Sequence, residues 1–391
     1  MPSPPSKLQQ FLKRAPAGSG DFLSLGDYTH GNKLALLTRG GETLKSMWEA
    51  IDAARETIHL EMYIFASDSV GEEFARRLMK KARAGVRVRV IIDSLGSLNI
   101  NPVFLTKMRN SGIQFLEYHP VAPWRARWAW GRRDHRKILV IDGQIGFTGG
   151  LNISNEYASL EMGGSDWHDT QVRVEGPAAY DLDRLFRATW FKETGRWFDS
   201  AGRPAFTPGV SMVAVAANQE FLHRYTIRST YLKVLRAARK EVMIANAYFV
   251  PDRGIRRALG EAVKRGVSVK ILVPARSDVA SVWYAGRNRY ESLLRKGIRL
   301  FEWLGPNLHA KTAVVDAAWC AVGSYNLDHR SLLHNLEVNL HILDEDFAGR
   351  MASQFNFDVA HSREITTETW RQRPKIDRVF ERFFYGLRYF F

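Results

Sequence analysis

The pattern of apolar and polar residues changes period several times along the first part of the chain. In residues 42–65 (ETLKSMWEAIDAARETIHLEMYIF), apolar residues recur at helical spacing up to Arg55 and then alternate as in a strand. The segments that follow predict a second helix in EEFARRLMKKARAG and a second strand in VRVRVIID. This regular series predicts an α/β fold in which helices cover the faces of a sheet.

The same series returns in the second part of the chain. Residues 230–250 (TYLKVLRAARKEVMIANAYFV) predict a helix followed by a strand, GIRRALGEAVKRG predicts the next helix, and VSVKILVP predicts the next strand. The tripeptide Ala-Ala-Arg separates helix from strand in both copies, at residues 53–55 and 237–239. We interpret the chain as an internal duplication.

Turn-forming residues divide the chain into segments. The first 20 or so residues are rich in proline and glycine, which predicts a loose arm. A second such segment, Asp199–Gly209 (DSAGRPAFTPG), predicts a linker. We expect a flexible N-terminal arm in residues 1–25, a first half in residues 26–205, and a second half with an aromatic and basic tail in residues 206–391.

The composition is that of a folded protein with a large positive charge. Of the 391 residues, 45% are hydrophobic and 25% are charged, which is enough apolar material for a substantial core. The formal charge of +15 favours an anionic partner, and charge alone does not choose among nucleic acid, phosphorylated metabolites and acidic lipid headgroups. The single cysteine, Cys320, excludes an internal disulfide and a cysteine-based zinc site. No run of about 18 apolar residues predicts a transmembrane helix.

One short motif occurs at corresponding points of the two halves. It reads HRKILVIDGQIGFTGGLN from residue 135 and HAKTAVVDAAWCAVGSYN from residue 309. The histidine and lysine of each copy are two positions apart at the start of a short apolar strand, so they point to the same face. A lysine can neutralise phosphate oxygens while a neutral imidazole attacks phosphorus or transfers a proton. The pair therefore predicts chemistry at a phosphate.

Two copies of the motif supply what one copy lacks. Exchange at a phosphodiester needs a nucleophile and a separate acid for the departing alcohol. If the halves pack about a pseudo-twofold axis, His135 and His309 face each other across one phosphate. Lys137 and Lys311 then flank that phosphate as fixed positive charges.

Further polar residues follow each motif. The small-residue turns after the strands bring Asn152 and Asn326 to the same pocket as amide donors to phosphate oxygens. A carboxylate comes next, Asp169 lying 34 residues after the first motif histidine and Glu337 lying 28 residues after the second. Either carboxylate can accept the second ring N–H of a histidine and fix its tautomer. We expect each to serve the histidine of its own half.

These residues together resemble the signature of the phospholipase D superfamily, a duplicated HxKxxxxD followed by a small-residue turn and Asn. The resemblance extends from Asn32 to about residue 345, and the flanking segments are most similar to bacterial cardiolipin synthases of the shorter form, without transmembrane helices. It is carried by GNKLALLTRGGE, YIFASDSVGEEF, RDHRKILVIDGQIGFTGGLNI, WHDTQVRVEGP, LHAKTAVVD, VGSYNLDHRS and NLEVNLHI. The resemblance implies two tandem α/β/α sandwich halves related by a pseudo-twofold axis.

The resemblance also implies a mechanism and a residue set. One histidine displaces an alcohol to give a phosphatidyl-histidine, and a second alcohol then attacks that intermediate. By resemblance His135 is the nucleophile and His309 is the acid. The catalytic candidates are His135, Lys137, Asp142, His309, Lys311 and Asp316, and the substrate-binding candidates are Asn152, Asn326, Ser324, Glu337 and Asp169.

Two features of the motifs modify that set. Asp142 and Asp316 belong to the signature, but their position at strand ends favours a role as turn-fixing hydrogen-bond acceptors. Gly150 stands where the second copy has Ser324, so the serine hydroxyl contact is expected in one half only.

The resulting hypothesis is a cardiolipin synthase-type phosphatidyltransferase that joins two phosphatidylglycerols and releases glycerol at the cytoplasmic face of the bacterial inner membrane. Two alternatives stay open: a phospholipase D-type lipid hydrolase, and a nuclease of the same superfamily. Phosphatidylethanolamine in place of one phosphatidylglycerol also stays open. No cofactor or metal is expected, because the histidines outside the signature lack metal-ligand spacing: His59, His168, His329 and His334.

Aromatic and arginine residues concentrate in two further segments. The first half has eleven extra residues before its motif, within VAPWRARWAWGRRD, where Trp124, Trp128 and Trp130 are interleaved with arginines. The C-terminal segment RVFERFFYGLRYFF has the same character. Both suit a bilayer surface, and the same composition can stack single-stranded bases. Anionic phospholipid, in particular phosphatidylglycerol, is the expected partner, ahead of nucleic acid.

Overall fold

The helices and strands of the computed structural model alternate as the apolar pattern predicts, and the α/β fold class is confirmed. The structure describes residues 6–13, 27–125, 127–129, 131–202, 207–218 and 225–390. The helices are α1 (Lys7–Leu12), α2 (Gly40–Ala53), α3 (Ser69–Arg83), α4 (Pro102–Asn110), α5 (Pro177–Thr194), α6 (Thr226–Ala237), α7 (Arg253–Lys264), α8 (Ala280–Arg287), α9 (Tyr290–Leu294), α10 (His329–Leu333), α11 (Glu345–Ala360), α12 (Thr367–Arg371) and α13 (Lys375–Gly386). The strands are β1 (Thr29–Leu37), β2 (Thr57–Met62), β3 (Arg87–Asp93), β4 (Gln114–Tyr118), β5 (Arg133–Asp134), β6 (Lys137–Ile141), β7 (Ile145–Gly149), β8 (Gln171–Glu175), β9 (Ser211–Asn218), β10 (Glu241–Asn246), β11 (Ser268–Pro274), β12 (Arg299–Trp303), β13 (Lys311–Val315), β14 (Trp319–Gly323), β15 (Asn335–Leu343) and β16 (Ser362–Ile365).

The strand order is mirrored about the middle of the sheet. From the centre outwards, the first half runs β1–β8–β7–β6–β2–β3–β4, and the second runs β9–β15–β14–β13–β10–β11–β12, with β16 at its edge. Antiparallel pairing of β1 with β9 joins the halves. In each half three strands are parallel, and the motif strand, β6 or β13, lies antiparallel beside them. This mirrored order is what a duplicated chain with pseudo-twofold symmetry produces.

Each half buries one face of its sheet under two helices. Leu44, Met47 and Ile51 form the apolar stripe of α2, which packs with α3 over β2 and β3. Helices α6 and α7 cover β10 and β11 in the same way. Helices α5 and α11 instead share a core with strands of both halves, in which Leu182 and Phe347 are fully buried. This shared core fixes the two motif strands relative to each other. Among the described residues, no helix combines the length and the apolar character that a bilayer span requires.

The N-terminal arm is partly ordered, contrary to expectation. Helix α1 begins after a capping box at Ser6, and Phe11 is fully buried in the core of the second half. The backbone N–H of Leu8 also donates to the carboxylate of Glu345 at 2.7 Å. The prediction of a flexible arm is therefore wrong for residues 6–13, because Phe11, together with Leu8 and Leu12, packs the short helix on that core. The predicted boundary between residues 205 and 206 falls outside the described residues and stays a prediction.

The two signature aspartates tie the motif strands to their neighbours. Asp142 follows β6 with a φ of 52°, and its carboxylate accepts the backbone N–H groups of residues 55–57, each at 2.8 Å. Asp316 follows β13 with a φ of 55° and accepts the N–H groups of residues 239–241 at 2.8–2.9 Å. The repeated Ala-Ala-Arg tripeptide lies at these contacts. They support the turn-fixing role and take both aspartates out of the set of catalytic candidates.

Replacing Asp142 by Ala is expected to lower the free energy of unfolding by about 2–4 kcal/mol, because three charge-assisted hydrogen bonds are lost. Chemical denaturation of the purified variant measures this change. Asp166→Ala is the matched control, since Asp166 also has a φ of 52° and the variant carries the same backbone cost. The specific activity of folded Asp142→Ala protein is expected to stay near that of the parent. A loss of about 100-fold in folded protein would return Asp142 to the catalytic set.

Candidate active site

Both motif histidines line one pocket between the two halves. The pocket has a volume of about 560 Å³, and it is lined by His135 and Asn152 from the first half and by His309 and Asn326 from the second. The motif strands β6 and β13 each begin two residues after their histidine, which places corresponding side chains on opposite walls. The fold therefore brings the predicted pairs into a common cavity.

The motif lysines are buried behind the histidines. Lys137 Nζ donates to the carbonyl oxygen of the histidine two positions earlier at 2.6 Å, and Lys311 Nζ makes the corresponding bond. Each ammonium also lies over a ring, Lys137 at 5.2 Å from the ring centre of Tyr63 and Lys311 at 5.9 Å from that of Tyr248. Burial lowers the pKa of Lys137 to about 7 and the pKa of Lys311 to about 8. An anion in the pocket therefore stabilises the charged form of both lysines.

Each histidine is hydrogen-bonded to the carboxylate of the other half. Nδ1 of His135 is 3.1 Å from both carboxylate oxygens of Glu337, and Nδ1 of His309 is 2.8 Å from Oδ2 of Asp169. The expectation that each carboxylate serves the histidine of its own half is therefore wrong. Because the carboxylates accept hydrogen bonds from Nδ1–H, the proton stays on Nδ1 and the lone pair of Nε2 faces the pocket.

Main-chain pairing between the halves produces this exchange. Strand β5 runs parallel to β15, and the N–H of His135 donates at 3.0 Å to the carbonyl of the residue before Glu337. The N–H of His309 donates at 2.8 Å to the carbonyl of the residue before Asp169. Each histidine thus joins the backbone of the other half immediately beside its carboxylate. Sequence distance within one half carries no information about such a pairing.

The two carboxylates are held differently. Glu337 is fully buried and accepts hydrogen bonds from the hydroxyls of Ser324 at 2.5 Å and Ser331 at 2.7 Å. Gly150, which corresponds to Ser324, leaves room for Asp169, because a Cβ at this glycine would lie 2.3 Å from the carboxylate. The second half therefore has a serine whose hydroxyl holds Glu337. In the first half the carboxylate of Asp169 occupies the space that a side chain at position 150 would need.

The two histidines also differ in how far their pKa is lowered. Burial lowers the pKa of His135, and the motif lysines and His309 lower it further. Burial and Lys311 lower the pKa of His309 as well, but there the carboxylates of Asp169 and Asp278 oppose the change. His135 is therefore the more firmly neutral ring, which suits attack on phosphorus, and His309 more readily takes a proton.

The motif asparagines have different surroundings. Asn152 accepts the N–H of Ile64 at 3.2 Å and donates to the hydroxyl of Tyr157 at 2.8 Å, and that hydroxyl lies 3.2 Å from Nδ1 of His309. Asn326 is buried, and its Oδ1 has no hydrogen-bond partner within the described part of the chain. A buried polar atom without a partner costs about 1–3 kcal/mol. Among the described residues, Oδ1 of Asn326 is thus free to accept a hydrogen bond in the pocket, whereas Asn152 is hydrogen-bonded to Tyr157.

The sequence reasoning missed several residues of the pocket wall. Tyr63 and Tyr248 lie edge-on to the motif histidine of their own half, with ring centres 4.9 Å and 6.2 Å away. They are 185 positions apart, close to the 184 positions that separate the two Ala-Ala-Arg tripeptides. Glu156 and Arg330 also line the pocket and are 174 positions apart, the spacing of the motifs. Aligning the two halves residue by residue could have found both pairs.

Comparison with known proteins gives matches across most of the chain. The family described as "Cardiolipin synthase, PLD-like domain" matches residues 47–190 and 231–359. The cardiolipin synthase of Geobacillus kaustophilus is 34% identical over 358 residues, which cover 90% of this chain and 70% of that protein. The cardiolipin synthase of Halalkalibacterium halodurans is 34% identical over 354 residues, which cover 88% of this chain and 70% of that protein.

Solved structures give the fold independently. A phosphatidylserine synthase from Haemophilus influenzae superposes with a TM-score of 0.68 at 14% identity, covering 90% of this chain and 93% of that one. A polyphosphate kinase from Porphyromonas gingivalis superposes with a TM-score of 0.60 at 16% identity, covering 99% of this chain and 57% of that one. At these identities the likeness shows the fold alone.

A duplicated α/β fold whose halves each place a motif histidine in one pocket, with its lysine buried behind it, defines a two-motif enzyme of the phospholipase D type. The two matched segments carry one motif each. The chain belongs to the PLD-like cardiolipin synthase family, and the resemblance seen in its motifs is confirmed.

Proposed function

We propose that the protein is a cardiolipin synthase-type phosphatidyltransferase that joins two phosphatidylglycerols, with release of glycerol, through a phosphatidyl-histidine. The observation that carries this proposal is the pair of carboxylate-anchored histidines, contributed by opposite halves, in one pocket. Membership of a family that acts on phospholipids supports the substrate class. A pocket of about 560 Å³ admits a glycerophosphate headgroup, so the acyl chains remain outside it.

In the first step, Nε2 of His135 attacks the phosphorus of phosphatidylglycerol, and the bond from phosphorus to the headgroup glycerol oxygen breaks. His309, protonated at Nε2, gives its proton to that oxygen, so that glycerol leaves as a neutral alcohol. The bound phosphodiester anion raises the pKa of His309 and thereby favours its protonated form. Lys137 and Lys311 stabilise the negative charge on the non-bridging oxygens.

In the second step, the terminal hydroxyl of another phosphatidylglycerol enters where glycerol left. Nε2 of His309, now unprotonated, takes the hydroxyl proton while the oxygen attacks phosphorus, and the bond from phosphorus to His135 breaks. Cardiolipin leaves, and both histidines regain their original protonation states. Water in the same position yields phosphatidic acid, so hydrolysis is a competing outcome of the same intermediate.

Product analysis tests this proposal. Purified protein with phosphatidylglycerol vesicles is expected to give cardiolipin and glycerol in equal amounts. EDTA is expected to leave the rate unchanged, because side chains supply every proton and positive charge in these steps. Phosphatidic acid as the sole product would assign a hydrolase, and cleavage of single-stranded DNA without lipid products would assign a nuclease. Vesicles that also contain phosphatidylethanolamine show which lipid is the second substrate.

Helix α13 supports peripheral contact with the cytoplasmic face of the inner membrane. Its buried face carries Glu381, which is 1% exposed and forms ion pairs with Arg373 and Arg287. Its exposed face is apolar at the spacing of a helical stripe, with Ile376, Val379, Phe380 and Phe383. Phe384 and Tyr385 pack against buried residues of α8, so the exposed stripe is a second apolar surface of the same helix. An exposed apolar stripe flanked by arginines is typical of helices that lie in a bilayer interface.

Other exposed apolar residues lie at the pocket and in the segment VAPWRARWAWGRRD, the Trp/Arg insertion. Phe390, which is 75% exposed, follows α13 and lines the pocket together with Val279. Leu98 is exposed between two residues that also line it. In the Trp/Arg insertion, Trp124 is 86% exposed and Trp128 is exposed, whereas Trp130 lies outside the described residues. We propose that these groups rest on the bilayer so that the pocket opens onto its headgroups.

Changing both Phe380 and Phe383 to Ser is expected to weaken binding to phosphatidylglycerol vesicles by about tenfold or more, because two rings leave the interface. Vesicle co-sedimentation measures this loss. Phe357→Ser is the control, since Phe357 is as exposed as Phe383 but lies on α11, outside the stripe. Turnover of a water-soluble, short-chain phosphatidylglycerol is expected to be unchanged. Unaltered vesicle binding, or a change from dimer to monomer in light scattering, would contradict the membrane assignment.

A further inference from the structure

The pocket is electrically asymmetric, although the fold that builds it is duplicated. Arg330 and Glu156 occupy corresponding positions of the two motifs, and both line the pocket. Arg330 lies at the His135 end: its charge is among those that lower the pKa of His135, and the next residue, Ser331, holds Glu337. One half thus presents a cation where the other presents a carboxylate.

The pocket also carries two carboxylates, Asp278 and Glu156, and Asp278 lies near His309. Asp278 lines it, and its Oδ2 accepts a hydrogen bond from the hydroxyl of Tyr248 at 2.7 Å. Burial tends to raise the pKa of Asp278, but His309 and that hydrogen bond together hold it below its ordinary value, so the group is ionised. Glu156 precedes Tyr157, whose hydroxyl lies 3.2 Å from Nδ1 of His309. Asp278 and Glu156 come from different halves and line the same pocket.

We propose that Asp278 and Glu156 form the subsite for the headgroup alcohol, and that it accepts uncharged polyols and ammonium alcohols but rejects headgroups that carry a carboxylate. The inference rests on the proposed function, because it takes His309 as the group that protonates the departing alcohol. In-line displacement by His135 puts that alcohol on the His309 side of phosphorus, where Asp278 lies, in the pocket that Glu156 also lines.

The chemistry of the headgroup decides its fit at this end. The free hydroxyls of a glycerol headgroup, or the ammonium of an ethanolamine, donate hydrogen bonds to Asp278 and Glu156. A serine headgroup has the ammonium of ethanolamine and in addition a carboxylate, which like charges on the pocket wall repel, and that repulsion is sufficient for about tenfold discrimination.

Soluble short-chain donors test the inference. Dihexanoyl phosphatidylglycerol, phosphatidylethanolamine and phosphatidylserine are each supplied with butanol as acceptor, and kcat/KM for phosphatidylbutanol is measured. The parent enzyme is expected to use the first two and to discriminate against phosphatidylserine. Asp278→Asn and Glu156→Gln are each expected to raise the use of phosphatidylserine relative to phosphatidylglycerol by about tenfold. Glu161→Gln, five residues beyond Glu156 and exposed, is the control and is expected to leave the ratio unchanged.

The outcomes separate this inference from the function on which it rests. If both neutral variants lose activity with the three donors in equal proportion, the carboxylates only support the structure and the subsite is overturned. An unchanged donor ratio in both variants overturns it too. If the parent makes no phosphatidylbutanol from any of the lipids, the phosphatidyltransferase function itself fails.

Discussion

Replacing His135 by Ala is expected to abolish cardiolipin formation, with a loss of about 10⁴-fold or more, because the phosphatidyl group then has no nitrogen to join. His309→Ala is expected to lose a similar factor with phosphatidylglycerol, since glycerol is a poor leaving group that needs a proton. His361→Ala is the control, because His361 is exposed at the end of α11. Cardiolipin formation from vesicles measures all three variants.

A donor with an activated leaving group separates the roles of the two histidines. In phosphatidyl-p-nitrophenol the departing phenolate needs no proton, so His309→Ala is expected to release a stoichiometric burst of nitrophenolate and to stop at the covalent intermediate. Mass spectrometry of the quenched protein is expected to find the phosphatidyl group on His135. His135→Ala is expected to give neither burst nor adduct. A burst from His135→Ala with the adduct on His309 would reverse the assignment.

The apolar pattern was sufficient to predict the helices that have a continuous apolar face. Helix α2 and its repeat counterpart α6 were predicted because each presents a continuous apolar face to its sheet. Helix α1 was missed because it is only six residues long and lies in a segment rich in proline and glycine, although its Leu8, Phe11 and Leu12 have helical spacing and pack on the core of the second half. An apolar pattern of one and a half turns is too short to predict a helix against such a background.

Some features of the candidate site could also be predicted from the sequence, and others could not. The His-Lys pairs could be predicted because the duplication repeats them at one spacing, and the fold brings both motif histidines to one pocket. The exchange of Glu337 and Asp169 between the halves could not be predicted, because it depends on backbone pairing of β5 with β15 across some 200 residues. The opposite charges of Glu156 and Arg330 were visible in the sequence, but only the structure shows that both residues line one cavity.

Glu337→Gln is expected to slow phosphatidyl transfer by about 10³–10⁴-fold, because an amide does not hold the Nδ1–H tautomer of His135 as the carboxylate does. Burial raises the pKa of Glu337 to about 7, so in the parent kcat/KM is expected to fall as the pH drops through that value and the carboxylate takes a proton. It is also expected to fall as the pH rises through about 7 to about 8, where Lys137 and then Lys311 lose their charge. The Gln variant has no ionisation at this position and is expected to lose the acidic limb, whereas Glu337→Asp keeps it.

Nitrogen-15 spectra of labelled histidines test the crossed pairing itself. In the parent the carboxylates hold the proton on Nδ1 of both rings, so Glu337→Gln is expected to shift the tautomer equilibrium of His135 and to leave that of His309 unchanged. Asp169→Asn is expected to do the reverse. If each substitution instead altered only the histidine of its own half, the pairing would be uncrossed. Strands β5 and β15 would then not orient the nucleophile, and the two halves would act as independent sites that merely share a cavity.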